Sequence, residues 1–147
     1  MKQKILISTG GTGGHVIPAI TIYEHLKNEH EVTICTDVRG LKYLDINKLK
    51  IFEVDTPKLN RKILLPFTIL KVFFLTIKSL LLLKKEKIQI LISTGGYMSL
   101  PLCLAGKILN IKIFLLEPNM IIGRANKFFL NFCEKIICYS NNINGLP

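Results

Sequence analysis

The chain of 147 residues lacks the patterns that mark several classes of binding protein. None of its four cysteines stands in a C-x-x-C pair, and its three histidines do not have metal-ligand spacing. A metal site is therefore not expected. No Gly-Lys-Ser/Thr sequence closes a glycine loop, which excludes a P-loop. The apolar stretch that begins almost at Met1 is predicted to be a strand, so we expect no signal peptide and a reducing, cytoplasmic setting.

Acidic residues are also scarce, since 20 Lys and Arg oppose 10 Asp and Glu and give a formal net charge of +10. This excess favours anionic partners such as nucleic acid, a lipid surface or a phosphorylated substrate. The basic residues form no RGG tract, basic arm or zinc-finger pattern, so nucleic acid is not the expected partner. A hydrophobic content of 49% excludes a disordered chain, and the length fits one domain, residues 1–147.

Short apolar runs alternate with helical patterns along the whole chain. The predicted strands are 4–8, 31–36, 51–54, 88–93, 112–115 and 135–139. The predicted helices are 17–28, 41–47, 66–85, 99–109 and 124–133, and a loop with Pro57 precedes the long third helix. This alternation predicts an α/β fold with a Rossmann-like, doubly wound parallel sheet. In such sheets ligands bind at the carboxyl ends of the strands.

Glycine dominates the stretch after the first predicted strand, which reads Gly-Gly-Thr-Gly-Gly-His at 10–15. A strand, a glycine loop and a helix together direct free backbone N–H groups and the helix dipole at an anion. Val16 stands where a dinucleotide fingerprint counted from Gly11 needs its third glycine. The dipole at the helix start disfavours a charged imidazole, so His15 is a candidate proton acceptor. A plain strand-to-helix turn is the alternative, although it needs only one or two glycines.

Two further loops are predicted at the same edge of the sheet. The fourth strand leads into Gly95 and Gly96, and Ser99 is a plausible N-cap of the next helix. The fifth strand is followed by Glu117 and Asn119, a carboxylate and an amide. Each loop by itself fits an ordinary turn or a solvated loop. Because three such loops converge on one edge, we expect a ligand site there.

The apolar stretch 63–83 has the length of a membrane span. Lys71, Lys78 and Lys85 recur every seven residues and therefore share one helical face, and charges inside a span are costly. The stretch is instead predicted to be an amphipathic helix on an anionic membrane surface. The residues expected at the membrane are Phe67, Lys71, Phe74 and Lys78. An ordinary buried helix is the alternative.

The stretch 10–19, Gly-Gly-Thr-Gly-Gly-His-Val-Ile-Pro-Ala, resembles the first glycine loop of the MurG family, which belongs to glycosyltransferase family 28 and the GT-B superfamily. The stretches 95–99 and 117–127 resemble the second and third loops of that family, in the same order. Leu100 departs from the family's usual glycine, and Leu116 and Pro118 replace its usual histidine and glutamine.

The resemblance implies the acceptor- and membrane-binding N-terminal half of a GT-B transferase, without the half that binds most of the UDP-sugar. The implied reaction is inverting transfer of GlcNAc from UDP-GlcNAc to undecaprenyl-pyrophosphoryl-MurNAc-pentapeptide in peptidoglycan synthesis. It takes place at the cytoplasmic face of the bacterial inner membrane, to which the protein binds peripherally, and it needs no metal or cofactor. The chain alone is expected to be inactive.

Site roles follow from the same resemblance. An inverting transfer needs a base for the acceptor hydroxyl, for which His15 is the candidate, with Glu117 as its orienting group or as the alternative base. Backbone N–H groups at both glycine pairs are expected to hold pyrophosphate oxygens. The implied UDP-GlcNAc contacts are Thr12, Gly13, Gly14 and Asn119. The expected substrate-binding residues of the second loop are Gly95, Gly96, Tyr97 and Ser99.

Two other classes of function stay open. The chain also fits a non-catalytic, membrane-binding subunit of a split glycosyltransferase, which recruits a separate donor-binding chain. It also fits a nucleotide-binding oxidoreductase in which Asp37, after the second strand, holds a ribose. The missing third glycine and the presence of His15 count against the oxidoreductase.

Overall fold

Within the residues that the computed structural model describes, 2–54, 65–140 and 142–146, six strands form one parallel sheet. For residues 65–68 the description covers the backbone alone. The strands are β1 (Lys4–Ser8), β2 (Glu31–Thr36), β3 (Ile51–Glu53), β4 (Ile90–Ser93), β5 (Lys112–Glu117) and β6 (Lys135–Cys138). Their order across the sheet is β3-β2-β1-β4-β5-β6. The chain therefore winds outward in two directions from β1, and the predicted fold class is confirmed.

Helices cover both faces of this sheet. They are α1 (Gly13–Leu26), α2 (Val38–Leu41), α3 (Leu65–Lys85), α4 (Ser99–Ile108) and α5 (Arg124–Phe129), and a 3₁₀ turn follows at Leu130–Phe132. Successive side chains of a strand point to opposite faces, so Ile5 and Ile7 belong to one buried cluster with Val16 of α1, and Leu6 belongs to another with Leu102 of α4 and Phe129 of α5. Two apolar cores result, one on each face of the sheet.

Three of the predicted boundaries are wrong in ways that affect the site. The first helix begins at Gly13 rather than at residue 17, because the N–H groups of His15 and Val16 already donate to the Thr12 carbonyl. The second helix lies at Val38–Leu41 rather than 41–47, since the Asp37 carboxylate accepts from the Gly40 N–H and caps it there. Strand β5 continues to Glu117, which is a strand residue and not a loop residue.

The start of α4 also differs from the prediction. Met98 is its N-cap, and Ser99 is the first helical residue. The Ser99 hydroxyl donates to the Gly96 carbonyl at 2.7 Å, so it holds the preceding loop rather than the helix end. The predicted loop with Pro57 lies outside the described residues, as does the side chain of Phe67.

Helix α3 has apolar side chains on two sides. One side, with Leu75 and Leu83, packs against α4 and the core. The opposite side is exposed by 39–64% at Ile69, Leu70, Phe73, Phe74, Ile77 and Leu81, and the exposed Lys71 and Lys78 lie beside it. Among the described residues, α3 is therefore packed on one side and exposed on the other, as an amphipathic helix is. In the part of the chain that the structure describes, no helix has the length and apolarity needed to cross a bilayer.

Candidate functional site

The three predicted loops meet at one edge of the sheet and enclose a cavity of about 280 Å³, here called the polar cavity. His15 comes from the first turn of α1, Gly95 and Gly96 follow β4, and Glu117 ends β5. The remaining lining residues are Tyr97, Asn119, Gly123, Arg124 and Ala125. The predicted convergence of the loops is therefore present in the structure.

The backbone of the second loop orients His15. Its Nδ1 atom lies 2.6 Å from the Thr94 carbonyl oxygen. A carbonyl oxygen only accepts, so Nδ1 carries the proton, and in the neutral imidazole Nε2 is the acceptor. Gly95 has φ +90°, and a Cβ atom there would lie 3.3 Å from His15 Cε1. A glycine is therefore required both by the backbone conformation and by the close imidazole.

The buried carboxylate of Glu117, 1% exposed, organises the third loop. One oxygen accepts from the Asn119 N–H at 3.1 Å and from Asn119 Nδ2 at 2.9 Å. The other accepts from the Gly123 N–H at 2.8 Å and from Asn126 Nδ2 at 3.0 Å. Among the described residues these bonds go to the third loop and to Asn126 in the first turn of α5, so the group that orients His15 is Thr94 and not Glu117. Both residues nevertheless line the polar cavity.

A second cavity of about 260 Å³, here called the Arg39 cavity, also includes His15. Arg39 borders it together with Gly10, Gly11 and Thr12 of the first loop. The guanidinium lies over the loop, because a Cβ atom at Gly11 would be 3.7 Å from Arg39 Nη2. Gly11 has φ +82°, a conformation that favours glycine.

Asp37 holds this arginine in place. The carboxylate is 1% exposed and accepts from Arg39 Nε at 2.8 Å and Nη2 at 2.6 Å, and from the N–H groups of Gly11 and Gly40, both at 2.9 Å. Burial acts to raise the pKa of Asp37, but these hydrogen bonds and the Arg39 charge together lower it below its usual value. The pair anchors a cation beside the glycine loop.

Sequence reasoning missed Arg39, and considered Asp37 only as a ribose ligand. The sequence does contain a signal for this pair. Asp-Val-Arg follows β2, so these residues are expected at the same edge of the sheet as the other loops. The other predicted site residues lie nearby in different settings. Gly13 and Gly14 are in the first turn of α1 and do not line either cavity, and Ser99 is fully buried.

None of the four cysteines lines either cavity. Cys35 and Cys103 are buried free thiols, and burial raises the pKa of each to about 12. Cys133 and Cys138 are half-buried. In the described ranges, 2–54, 65–140 and 142–146, no group of three or more His, Cys, Asp or Glu is placed to hold a metal ion.

Known sequences share the whole stretch that carries this geometry. Residues 5–138 match the family described as Glycosyltransferase family 28 N-terminal domain. The UDP-N-acetylglucosamine--N-acetylmuramyl-(pentapeptide) pyrophosphoryl-undecaprenol N-acetylglucosamine transferase of Pelagibacter ubique (strain HTCC1062) is 55% identical over 149 residues, which cover 100% of this chain and 42% of the relative. The transferase of the same name from Rickettsia prowazekii (strain Madrid E) is 36% identical, over 99% of this chain and 37% of the relative. The chain thus spans less than half the length of these curated relatives.

Solved structures share the fold. The crystal structure of Acinetobacter baumannii MurG superposes with a TM-score of 0.83 at 24% identity, covering 99% of this chain and 43% of that chain. A glycosyltransferase from Rickettsia africae ESF-5 gives a TM-score of 0.70 at 21% identity, covering 95% of this chain and 37% of that chain. At these identities the likeness establishes the Rossmann-like α/β architecture.

Proposed function

The chain belongs to glycosyltransferase family 28, and we propose that it forms the acceptor-binding part of an N-acetylglucosaminyltransferase of peptidoglycan synthesis. The proposed reaction moves GlcNAc from UDP-GlcNAc to the lipid-linked undecaprenyl-pyrophosphoryl muramoyl pentapeptide. The name of the Pelagibacter ubique relative supports this donor and this class of acceptor. The donor-binding half is expected in the same polypeptide or in a separate chain that this one recruits.

The geometry of His15 is the observation that carries the chemistry. With Nδ1 committed to the Thr94 carbonyl, Nε2 is the ring nitrogen that takes the proton of the C4 hydroxyl of the muramoyl sugar. The hydroxyl oxygen attacks C1 of GlcNAc from the side opposite the diphosphate. The C1–O bond to UDP then breaks, UDP leaves with the bonding electron pair, and the configuration at C1 is inverted. Glu117 supports this step by shaping the third loop, and it is the alternative base.

Charge in the two cavities supports binding of a diphosphate. Gly13 and Gly14 follow Thr12, which lines the Arg39 cavity, and their N–H groups in the first turn of α1 are donors for an anion that extends past that cavity. Arg39 adds a fixed guanidinium at the same loop. Developing negative charge on a leaving diphosphate is stabilised by such preorganised donors. Thr12 and Asn119, at the rims of the two cavities, complete the proposed UDP-GlcNAc contacts from this part of the enzyme.

The exposed side of α3 supports peripheral attachment to the cytoplasmic face of the inner membrane. Phe73, Phe74 and Leu81 are exposed by more than half, and Lys71 and Lys78 lie next to them. Apolar side chains flanked by lysines are typical of helices that lie in the surface of an anionic bilayer. A lipid-linked acceptor is present in that surface, so attachment brings the site to its substrate.

The transfer reaction is tested with a chimera in which this chain replaces the matching part of the Pelagibacter ubique transferase. Radiolabelled UDP-GlcNAc and a lipid-linked muramoyl acceptor are supplied in detergent or vesicles, and labelled lipid is counted. We expect turnover by the chimera and none by this chain alone. A well-folded chimera without turnover, beside an active Pelagibacter ubique enzyme, would contradict the proposal.

A further inference from the structure

A groove between α4 and α5 adjoins the polar cavity, and we infer that it binds the first isoprenoid units of a lipid-linked diphosphate. The groove has a volume of about 370 Å³. Its lining residues are Tyr97, Leu100, Leu104, Arg124, Ala125 and Phe128. The inference rests on the proposed function and adds to it a separate subsite for the lipid.

The polar cavity and the groove share part of their walls. Tyr97, Arg124 and Ala125 line both the polar cavity and the groove. On the polar side of this shared wall stand His15 and Glu117. Leu100, Leu104 and Phe128 stand on the other side and leave the groove almost wholly apolar. A ligand that fills both spaces must therefore be polar at one end and hydrocarbon at the other.

Arg124 marks the position of the charge in such a ligand. Its side chain is exposed and borders both spaces, and it is the guanidinium in the shared wall. Guanidinium groups bind phosphate oxygens through paired, charge-assisted hydrogen bonds. A diphosphate between a sugar and an isoprenoid chain has this order of parts, with the sugar toward His15 and the chain toward Phe128.

The groove also lies on the same face of the sheet as α3, the helix proposed to contact the membrane. Helices α3, α4 and α5 cover the same face of the sheet, and α4 packs between the other two. The outward side of this layer carries exposed apolar residues on all three helices, such as Phe73, Ile108 and Phe128. A chain that leaves the groove thus meets the surface proposed to lie on the membrane.

The test measures binding of geranyl, farnesyl and geranylgeranyl diphosphate to this chain by calorimetry, below their critical micelle concentrations, with inorganic diphosphate as reference. We expect affinity to rise several-fold with each five-carbon unit until the groove is filled, because each unit buries more apolar surface. Affinity that does not depend on chain length would overturn the inference, as would the absence of binding. Equal binding of a linear alkyl phosphate of the same carbon number would overturn the assignment to isoprenoid.

Two phenylalanines provide a matched pair of variants. Phe128 and Phe73 are both 58% exposed, and each makes an edge contact with the next phenylalanine in sequence. Phe128→Ala should weaken farnesyl diphosphate binding about tenfold, the loss typical of one apolar side-chain contact, and leave inorganic diphosphate unaffected. Phe73→Ala should leave the binding of both farnesyl diphosphate and inorganic diphosphate unchanged. Arg124→Gln should weaken all of the diphosphates by a similar factor. Equal losses in the two phenylalanine variants would overturn the inference, and so would a change of oligomeric state in Phe128→Ala without ligand.

Failure of this inference and failure of the proposed function give different results. An active chimera whose diphosphate binding is independent of chain length would remove the groove subsite and keep the transferase. An inactive chimera with chain-length-dependent binding would keep an isoprenoid diphosphate site and remove the transfer reaction.

Discussion

The Nδ1 atom of His15 lies 2.6 Å from the carbonyl oxygen of Thr94, a residue 79 positions later in the chain. In many catalytic histidines a carboxylate fixes the ring, but here a main-chain carbonyl does so. The orientation of the imidazole is therefore a property of the β4 end and its glycine loop. No second ionised group is needed to set the tautomer.

Because Thr94 orients His15, the variant His15→Asn should lower the rate of transfer without lowering the stability of the fold. The Asn Nδ2 can occupy the place of the histidine Nδ1 and donate to Thr94, but it supplies no basic nitrogen. We expect the chimera to lose about 10²–10⁴ in kcat, the range typical of a lost general base, with an unchanged melting temperature. His15→Ala also loses the hydrogen bond and should lower the free energy of unfolding by about 1 kcal/mol. Full kcat in His15→Asn would exclude His15 as the base.

Glu117→Gln should destabilise the protein more than any change at His15. The carboxylate accepts four hydrogen bonds in a buried position, whereas a glutamine turns an NH₂ group toward two of those donors. A loss of about 1–3 kcal/mol in the free energy of unfolding is expected. The exposed Glu134→Gln is the matched control and should stay within about 0.5 kcal/mol. The kcat of each chimera variant is measured below the melting temperature of that variant. If Glu117→Gln then had no turnover while His15→Asn kept its full kcat, Glu117 would be the base.

Stability at acidic pH should depend on Asp37. Its pKa is lowered in the folded protein, so the carboxylate contributes stability above the unfolded-state value of about 4. That contribution disappears as the pH falls through the folded-state pKa. Urea unfolding between pH 6 and pH 3 should therefore show a smaller pH dependence in Asp37→Asn than in the unmodified chain. Asp45→Asn is the control, because Asp45 has a lowered pKa too but lies at the exposed surface. An equal reduction in both variants would contradict the prediction.

Binding to anionic vesicles should depend on the lysines of α3. Each lysine near an anionic surface contributes about 1 kcal/mol, so the double variant Lys71→Glu with Lys78→Glu should lose at least roughly 30-fold in partition coefficient. Lys42→Glu with Lys112→Glu changes the net charge equally at exposed positions outside α3 and should lose much less. Co-sedimentation at low and high salt measures both, and salt should weaken binding. Membrane attachment that resists salt and yields only to detergent would contradict a peripheral helix.

The sheet and the convergence of the loops could be predicted from the sequence, because apolar periodicity and glycine position are local signals. The strand alternation placed the loops after β1, β4 and β5 at one edge, where the structure has them. The amphipathic assignment of 63–83 likewise rested on the spacing of Lys71 and Lys78, and both are exposed in α3.

The partners of individual side chains could not be predicted in this way. Glu117 was expected in a loop, whereas its burial depends on four donors that come together only when the third loop folds over the β5 end. Thr94 orients His15 through its main chain, which leaves no signature in residue type. Arg39 was missed because its role depends on the buried Asp37 and on its distance from Gly11, and neither follows from periodicity.

The pairing of β1 with β4 has a consequence for the way the protein folds. Strands β1 and β2 are close in sequence, as are β4, β5 and β6, but Ile5 pairs with Ile90 across a long intervening chain. Contacts of such high sequence separation form late, because the loop they close costs entropy before they are made. His15 follows β1 and Thr94 follows β4, so the hydrogen bond between them forms only after these two strands have paired. A ligand that binds there stabilises the joined halves and should slow their separation, as hydrogen exchange at the β1 and β4 amides would report.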